Sequence, residues 1–403
     1  SGFLGDDRRH GSRSSGGLMR FGVVILMLSA SPVVWSWPFT IGAGRHAGVP
    51  AAQTELVCTL PFQRVNASWP INSVDPTDPS GACKEREDVC PSIFLSLLRI
   101  WRELLKYAPK KMSRFVINVG AKDGIIDDPV YPLVNNLHHI SGLALEPNPP
   151  DFALLSANLK SFPNYVPLNK GVTPKNIVKV LRSVPKKSAE SIDVLKIDID
   201  GCECHLLSIL MRDPYYHAKV IQVELNHHIM PPISYKGMCR DGDHGRNSNS
   251  LDVWGCSIQA AYDVLKPYGY DLLQFDWPDG VFLHESYAGA FPCLPLGLER
   301  NFNIGYAHAR TSYSRWPWHQ TDKQWIASLP VRAAKALSQP QAALLDIFER
   351  YKAAFVKKNL WIEMSVSGSG VGANVTRNQA TGQPELTWRP DPIRVTKSPG
   401  YMP

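Results

Sequence analysis

Phe115-Val-Ile-Asn-Val-Gly-Ala-Lys-Asp-Gly124 is the stretch from which the fold can be read. From Phe115 to Val119 it is apolar except at Asn118, which reads as a short buried strand. Gly120 and Gly124 then bracket a tight loop. Glycine suits such a loop because it takes backbone angles other residues avoid and lets the backbone approach a ligand closely. A buried strand ended by glycines feeds a helix at the edge of a nucleotide site. The spacing is Gly-x-x-x-Gly, not the Gly-x-Gly-x-x-Gly of a dinucleotide pyrophosphate site, which disfavours an NAD-dependent oxidoreductase. Two glycines alone are weak evidence, since many turns carry them.

Three further strands extend the pattern. Ser141-Gly-Leu-Ala-Leu-Glu-Pro-Asn148 is a second apolar run ending in Glu146. An acid about twenty residues past the glycines is placed to accept hydrogen bonds from ribose hydroxyls. Asp193-Val-Leu-Lys-Ile-Asp-Ile-Asp-Gly201 carries Asp198 and Asp200 at its end, with Glu203 opening a helix. Lys219-Val-Ile-Gln-Val-Glu-Leu-Asn226 ends in Glu224 and Asn226. Acids, glycine and amide thus collect at strand C-termini, where open α/β sheets bind ligands.

These motifs, from Phe115 to Asn226, resemble those of FkbM-type S-adenosylmethionine-dependent methyltransferases. Lys196-Ile-Asp-Ile-Asp-Gly201 is the most specific element. The resemblance implies a Rossmann-like class I methyltransferase fold: a mostly parallel sheet, helices on both faces and an antiparallel strand at the edge. It implies S-adenosyl-L-methionine as cofactor, held by Asn118, Gly120, Ala121, Gly124, Glu146 and Asp198. It also implies O-methylation of a carbohydrate or other polar small molecule. The chain departs from the family twice. Asn118 replaces an Asp, removing a negative charge near the cofactor's methionine end. Asp200 replaces a Glu, keeping the charge with a shorter reach. The competing reading is a non-catalytic binding or structural protein that retains the fold.

Methyl transfer is an in-line displacement needing no covalent intermediate, so the protein must hold donor and acceptor collinear. Asp198, Asp200, Glu224 and His227 are the candidate catalytic residues, each able to take the acceptor's proton. The same carboxylates suit oxygen-liganded Mg²⁺, but no resident metal is expected. Glu203 in a first helical turn is favourable against the helix dipole without any catalytic role. His227 and His228 are adjacent; on an extended segment they would point oppositely, leaving at least one structural.

The rest of the 403-residue chain frames this core. Formal charge is +7, but the basic residues are scattered with no aromatic-interleaved stripe, so no nucleic-acid partner is expected. Residues 1–18 read as a disordered leader. Residues 19–36 have a basic start, a short apolar run and a small-residue exit, the layout of a signal peptide; an uncleaved signal anchor or a plastid leader is the alternative. The address is therefore the secretory route, lumenal or secreted, with membrane contact only if the anchor stays. Asn66-Ala-Ser and Asn374-Val-Thr are glycosylation sequons. Eight cysteines in an exported chain suggest disulfides, with Cys239–Cys256 the favoured pair and Cys202 and Cys204 read as buried thiols. Residues 37–110 form a Pro- and Cys-rich lead-in ending in a helix from Ser92 to Tyr107, and 111–310 the methyltransferase-like domain. Within it Tyr270–Trp277 and Asn301–His308 read as a closing pair of strands. Residues 311–403 carry a helix from Val331 to Asn359, interrupted near Pro340, and a loose Gly-, Pro- and Thr-rich tail.

Overall fold

The structure, a computed structural model, describes residues 94–390 apart from 138, 184–190, 238–254, 277, 293, 295, 313–322, 359–361 and 382. The chain divides into residues 1–57 and 58–403, and every described residue belongs to the second unit. The leader, the signal segment, Asn66, Cys58, Cys83, Cys90, Cys239 and Cys293 lie outside the described residues.

Helix α1 (Leu97–Tyr107) begins later than its apolar spacing predicts because Ser96 caps it, accepting from Arg99 N. Leu95 instead pairs with the Gln274 side chain through two hydrogen bonds of 2.9 and 2.8 Å. Five parallel strands follow: β1 (Phe115–Val119), β2 (Ser141–Leu145), β3 (Tyr165–Leu168), β4 (Val194–Ile197) and β5 (Val220–Glu224). Helices α2 (Tyr131–Asn136), α3 (Pro149–Asn158), α4 (Ile177–Arg182) and α5 (Glu203–Leu210) connect them. The alternation of a strand sends successive side chains to opposite faces. Val116, Ala144, Val194 and Val220 therefore meet α1, α2 and α3 in one core, while Ile117, Leu143, Leu195 and Ile221 meet α4 and α5 in another.

After β5 come β6 (Ile233–Gly237) and α6 (Ile258–Leu265), then β7 (Tyr270–Asp276) and β8 (Asp279–His284). The main sheet has the order β3-β2-β1-β4-β5-β8-β7. Only β8 runs antiparallel to β5, so the antiparallel strand stands one place in from the edge. The partner of β7 is thus β8, not Asn301–His308. β8 begins at Asp279, paired with Asp276 at the end of β7, so the hairpin closes at once. Residues 301–308 belong to helix α7 (Leu298–Ser312). Phe302 and Tyr306 share its buried face, and Gly305 permits close approach, since a Cβ there would lie 2.1 Å from Phe275 O.

The described residues of the C-terminal segment, up to residue 390, form helices and strands where a loose tail was expected. Helices α8 (Lys323–Ser338) and α9 (Pro340–Lys358) part at Gln339. Strands β9 (Ile362–Val366), β10 (Val371–Arg377) and β11 (Pro384–Pro390) join β6 in an antiparallel sheet ordered β11-β10-β9-β6. Ile362, Met364, Val366, Ala373 and Val375 bury one face of it against Leu344, Ile347 and Phe348 of α9. Asn374 lies on β10, where its Oδ1 accepts from Arg389 Nε at 2.7 Å. No helix of the described residues is long and apolar enough to cross a membrane.

The favoured cysteine pairing is overturned. Cys256 is bonded to Cys204 across 52 residues, with Cα atoms 6.0 Å apart. Cys202 is also disulfide-bonded. Neither Cys202 nor Cys204 is a free thiol, and for Cys204 the reason is that folding brings the start of α5 beside the lead-in to α6.

Candidate functional site

Sheet order reverses between β1 and β4, since β2 lies on one side of β1 and β4 on the other. A crevice opens at the C-terminal ends of such strands. Here it is a cleft of about 340 Å³, lined by Gly120, Ala121, Glu146, Pro147, Asp198 and Asp200 among others.

Gly120 shapes its floor. Its φ is +82°, and a Cβ on it would stand 1.6 Å from Asp198 O. The amides of Gly120 and Ala121 both donate to Leu145 O, at 3.0 and 2.9 Å, fastening the loop to β2. Glu146 follows β2 and is 6% exposed. Its oxygens accept from Lys122 N at 3.0 Å and Asn148 N at 2.7 Å. A carboxylate oxygen accepts two hydrogen bonds, so the acid is both oriented and able to receive a hydroxyl.

On the other wall, carboxylate oxygens of Asp198, Asp200 and Glu224 lie within 4.8 Å of one another. Three oxygen ligands at that spacing suit a hard divalent cation as well as a proton-accepting role. Glu224 is pushed well above the ordinary carboxylate range, first by burial, then by the charges of Asp198, Asp200 and Glu203. A carboxyl that keeps its proton is a poor base, so Asp198 and Asp200 are the stronger candidates for that task.

Two expected ligand-binding residues stand apart from the cleft. Gly124 donates to Ala121 O at 2.8 Å and packs against Leu155, closing the turn. Asn118 is fully buried beneath the floor and its Nδ2 donates to Asp128 Oδ2 at 2.8 Å. Asp128 lines the cleft. Asp128 therefore brings a carboxylate to the cleft beside Asn118. Burial pushes Asp128 up, while Lys196, the Val130 amide and Asn118 pull it down.

His227 is also absent from the cleft lining and is buried. The two histidines do not point oppositely; their rings lie 4.2 Å apart. The segment is a turn, with Asn226 Oδ1 accepting from His228 N at 3.0 Å, so strand alternation does not apply.

Lys196 is a site residue that the sequence reading passed over. It is 3% exposed, donates to Gly120 O at 2.7 Å and pairs with Asp198 Oδ2 at 3.0 Å. Burial alone would lower its pKa, but Asp198 and Asp128 more than offset that and hold it raised. It stays charged and ties the glycine loop to the acid wall. The signal was present: Asp198 follows the end of β4 two residues after Lys196, the spacing that puts extended residues on one face. Asp128 had none, being a loop residue four positions past Gly124 and outside the motif.

Glu203 is fully buried, and burial pushes its pKa up to about 7 against the pull of the Gly201 and Ile199 amides. The native chain thus holds that proton more tightly than the unfolded chain. The corresponding stability is complete below about pH 4.5 and is lost as pH rises through about 7. At 1.36 kcal/mol per unit the swing is on the order of 3 kcal/mol. Denaturant unfolding at pH 5 and pH 8 should show Glu203→Gln losing less stability than wild type over that interval. Identical pH dependence would remove the assignment.

No protein-family model matches the sequence, and no curated protein sequence matches it. Solved structures do match. One is the METTL16 methyltransferase domain, 14% identical over 36% of this chain and 61% of that one, TM-score 0.23. Another is Aeropyrum pernix fibrillarin with natively bound S-adenosyl-L-methionine, 13% identical over 45% and 75%, TM-score 0.26. A third is the N-terminal domain of EvdMO1 with SAH bound, 13% identical over 46% and 79%, TM-score 0.30. The chain spans about three fifths of the METTL16 domain. With its strand order and antiparallel β8, it has the Rossmann-like class I methyltransferase fold.

Proposed function

We propose that this chain is an S-adenosylmethionine-dependent methyltransferase of FkbM type that O-methylates a carbohydrate or similar polar small molecule in the secretory route. The observation that carries the reading is the cleft at the strand-order reversal, with Glu146 on one wall and the acids of β4 and β5 on the other. The residues fit the cofactor chemically. Glu146 suits ribose hydroxyls, Pro147 and Val172 supply apolar surface for a base, and the carboxylates suit a positive sulfur. When bound, the cofactor supplies an electrophilic methyl on a sulfonium. Lys196 holds the glycine loop and Asp198 in register. Asp198 or Asp200 would take the proton of the acceptor hydroxyl. The Cys204–Cys256 bridge supports export, since disulfides persist in oxidising compartments.

The test is calorimetric titration of the full chain with S-adenosylmethionine and S-adenosylhomocysteine, beside Glu146→Ala. Micromolar binding by wild type, weakened at least about tenfold in the variant, is expected from loss of a charge-assisted pair of hydroxyl contacts. No binding by folded wild type would move the reading to a non-catalytic module.

Asn118→Asp, which restores the family's residue, should weaken binding rather than improve it. It replaces the donor to Asp128 with a second buried carboxylate, which costs about 1–3 kcal/mol. Calorimetry and thermal unfolding read both effects, and tighter binding in the variant would refute the reading of Asp128 as the cleft's carboxylate beside Asn118.

A further inference from the structure

We infer that Glu203 is the positioning residue for the methyl-transfer end of the cleft, holding the turn that presents Asp200. The inference rests on the reading of the cleft as a methyl-donor site. Glu203 opens α5 and is 0% exposed. Its Oε1 accepts from Ile199 N at 3.2 Å and from Gly201 N at 2.8 Å. These amides flank Asp200, whose φ is +56°. A non-glycine residue persists in that left-handed region only where its surroundings over-determine it. Two hydrogen bonds to one carboxyl oxygen supply that determination.

The surroundings keep the clamp dry. Gly255, at φ +56°, covers the second carboxylate oxygen so closely that a Cβ there would lie 3.0 Å from it. The Cys204–Cys256 bridge fastens that segment to α5. Cys256 O also accepts from Asn226 N at 2.7 Å, at the exit of β5. Glu203 thus sits where the strand ends bearing Asp198, Asp200 and Glu224 are tied together. It touches neither the cleft nor any reacting atom, so it acts through Asp200. Without its acceptor oxygen, Asp200 relaxes from the left-handed region and its carboxylate leaves the group formed with Asp198 and Glu224.

The test needs no methyl acceptor. Sinefungin carries an amine, positively charged, where S-adenosylmethionine carries its methyl sulfonium; S-adenosylhomocysteine is neutral there. Correctly placed carboxylates favour the charged analogue by about tenfold or more. Calorimetry should give that preference for wild type and for Glu203→Gln, which retains an acceptor oxygen. Glu203→Met, of similar volume with no acceptor, should bind both analogues alike, with S-adenosylhomocysteine affinity within about threefold of wild type. Should the methionine variant fail to fold by circular dichroism, Glu203→Asp, one methylene shorter, should show the same collapse. The inference is overturned if the preference survives in the acceptor-less or shortened variant, or vanishes equally in Glu203→Gln. It is also overturned if wild type binds both analogues without preference. A folded wild type that binds neither analogue refutes the methyl-donor reading itself.

Discussion

Gly120→Ala should abolish S-adenosylmethionine binding, lowering affinity at least about 100-fold in calorimetry. The added methyl would stand 1.6 Å from Asp198 O, a backbone atom that no rotamer change can move aside. Either the glycine loop or the end of β4 must shift. The first route breaks the paired amides on Leu145 O; the second displaces Asp198 from Lys196. Both walls of the cleft are damaged by one carbon. The φ of +82° adds about 1–2 kcal/mol for a non-glycine residue. Gly124→Ala is the matched control. Its Cβ would clash with the Leu155 Cδ1 methyl, at 2.5 Å, the end of a flexible side chain, and Gly124 does not line the cleft. It should lose stability while keeping binding within about tenfold. Equal affinity of Gly120→Ala and wild type would remove the glycine loop from the site.

Asp193→Ala should be the most destabilising single change, about 3–5 kcal/mol. Asp193 is fully buried at the opposite end of β4 from the cleft. Its Oδ1 accepts from Lys219 Nζ at 2.6 Å and from the Ser113 amide and hydroxyl; its Oδ2 accepts from Trp101 Nε1 at 3.0 Å and Arg114 N at 2.8 Å. These bonds join α1, the entry to β1 and the entry to β5. Removing the acid strands the Lys219 ammonium, which is 3% exposed. Against a typical total of about 5–15 kcal/mol, such a loss leaves little fold. Denaturant unfolding measures it. Asp193→Leu combined with Lys219→Met should recover part of the loss, because an apolar pair carries no uncompensated charge. A loss below about 1 kcal/mol for the single variant would show the network to be dispensable.

Asp193 also marks a limit of reading by motif. It stands in the same run as Lys196, Asp198 and Asp200, yet serves the other end of the strand. Its position before the apolar residues, rather than after them, was the available clue. Asn301–His308 failed for a related reason. Its alternation resembles a strand locally, whereas β7 already pairs with β8 from Asp276 opposite Asp279, and the spacing of Phe302 and Tyr306 fits a helix face. The C-terminal strands were missed because Gly- and Thr-rich composition outweighed the short alternation of Ile362-Glu-Met-Ser-Val366.

Local pattern alone determined β1, β2, β4 and β5 and the convergence of Gly120, Glu146, Asp198 and Glu224 at strand ends. Strand and helix periods are properties of neighbouring residues, and parallel strands deliver their C-termini to one edge. Only the tertiary structure decided what those residues meet. It paired Cys256 with Cys204, set Asp128 beside Asn118, buried Lys196 between Gly120 and Asp198, and closed Glu203 under Gly255. Each of those contacts spans residues whose proximity depends on sheet order and helix placement, and no spacing along the chain encodes the distance between them.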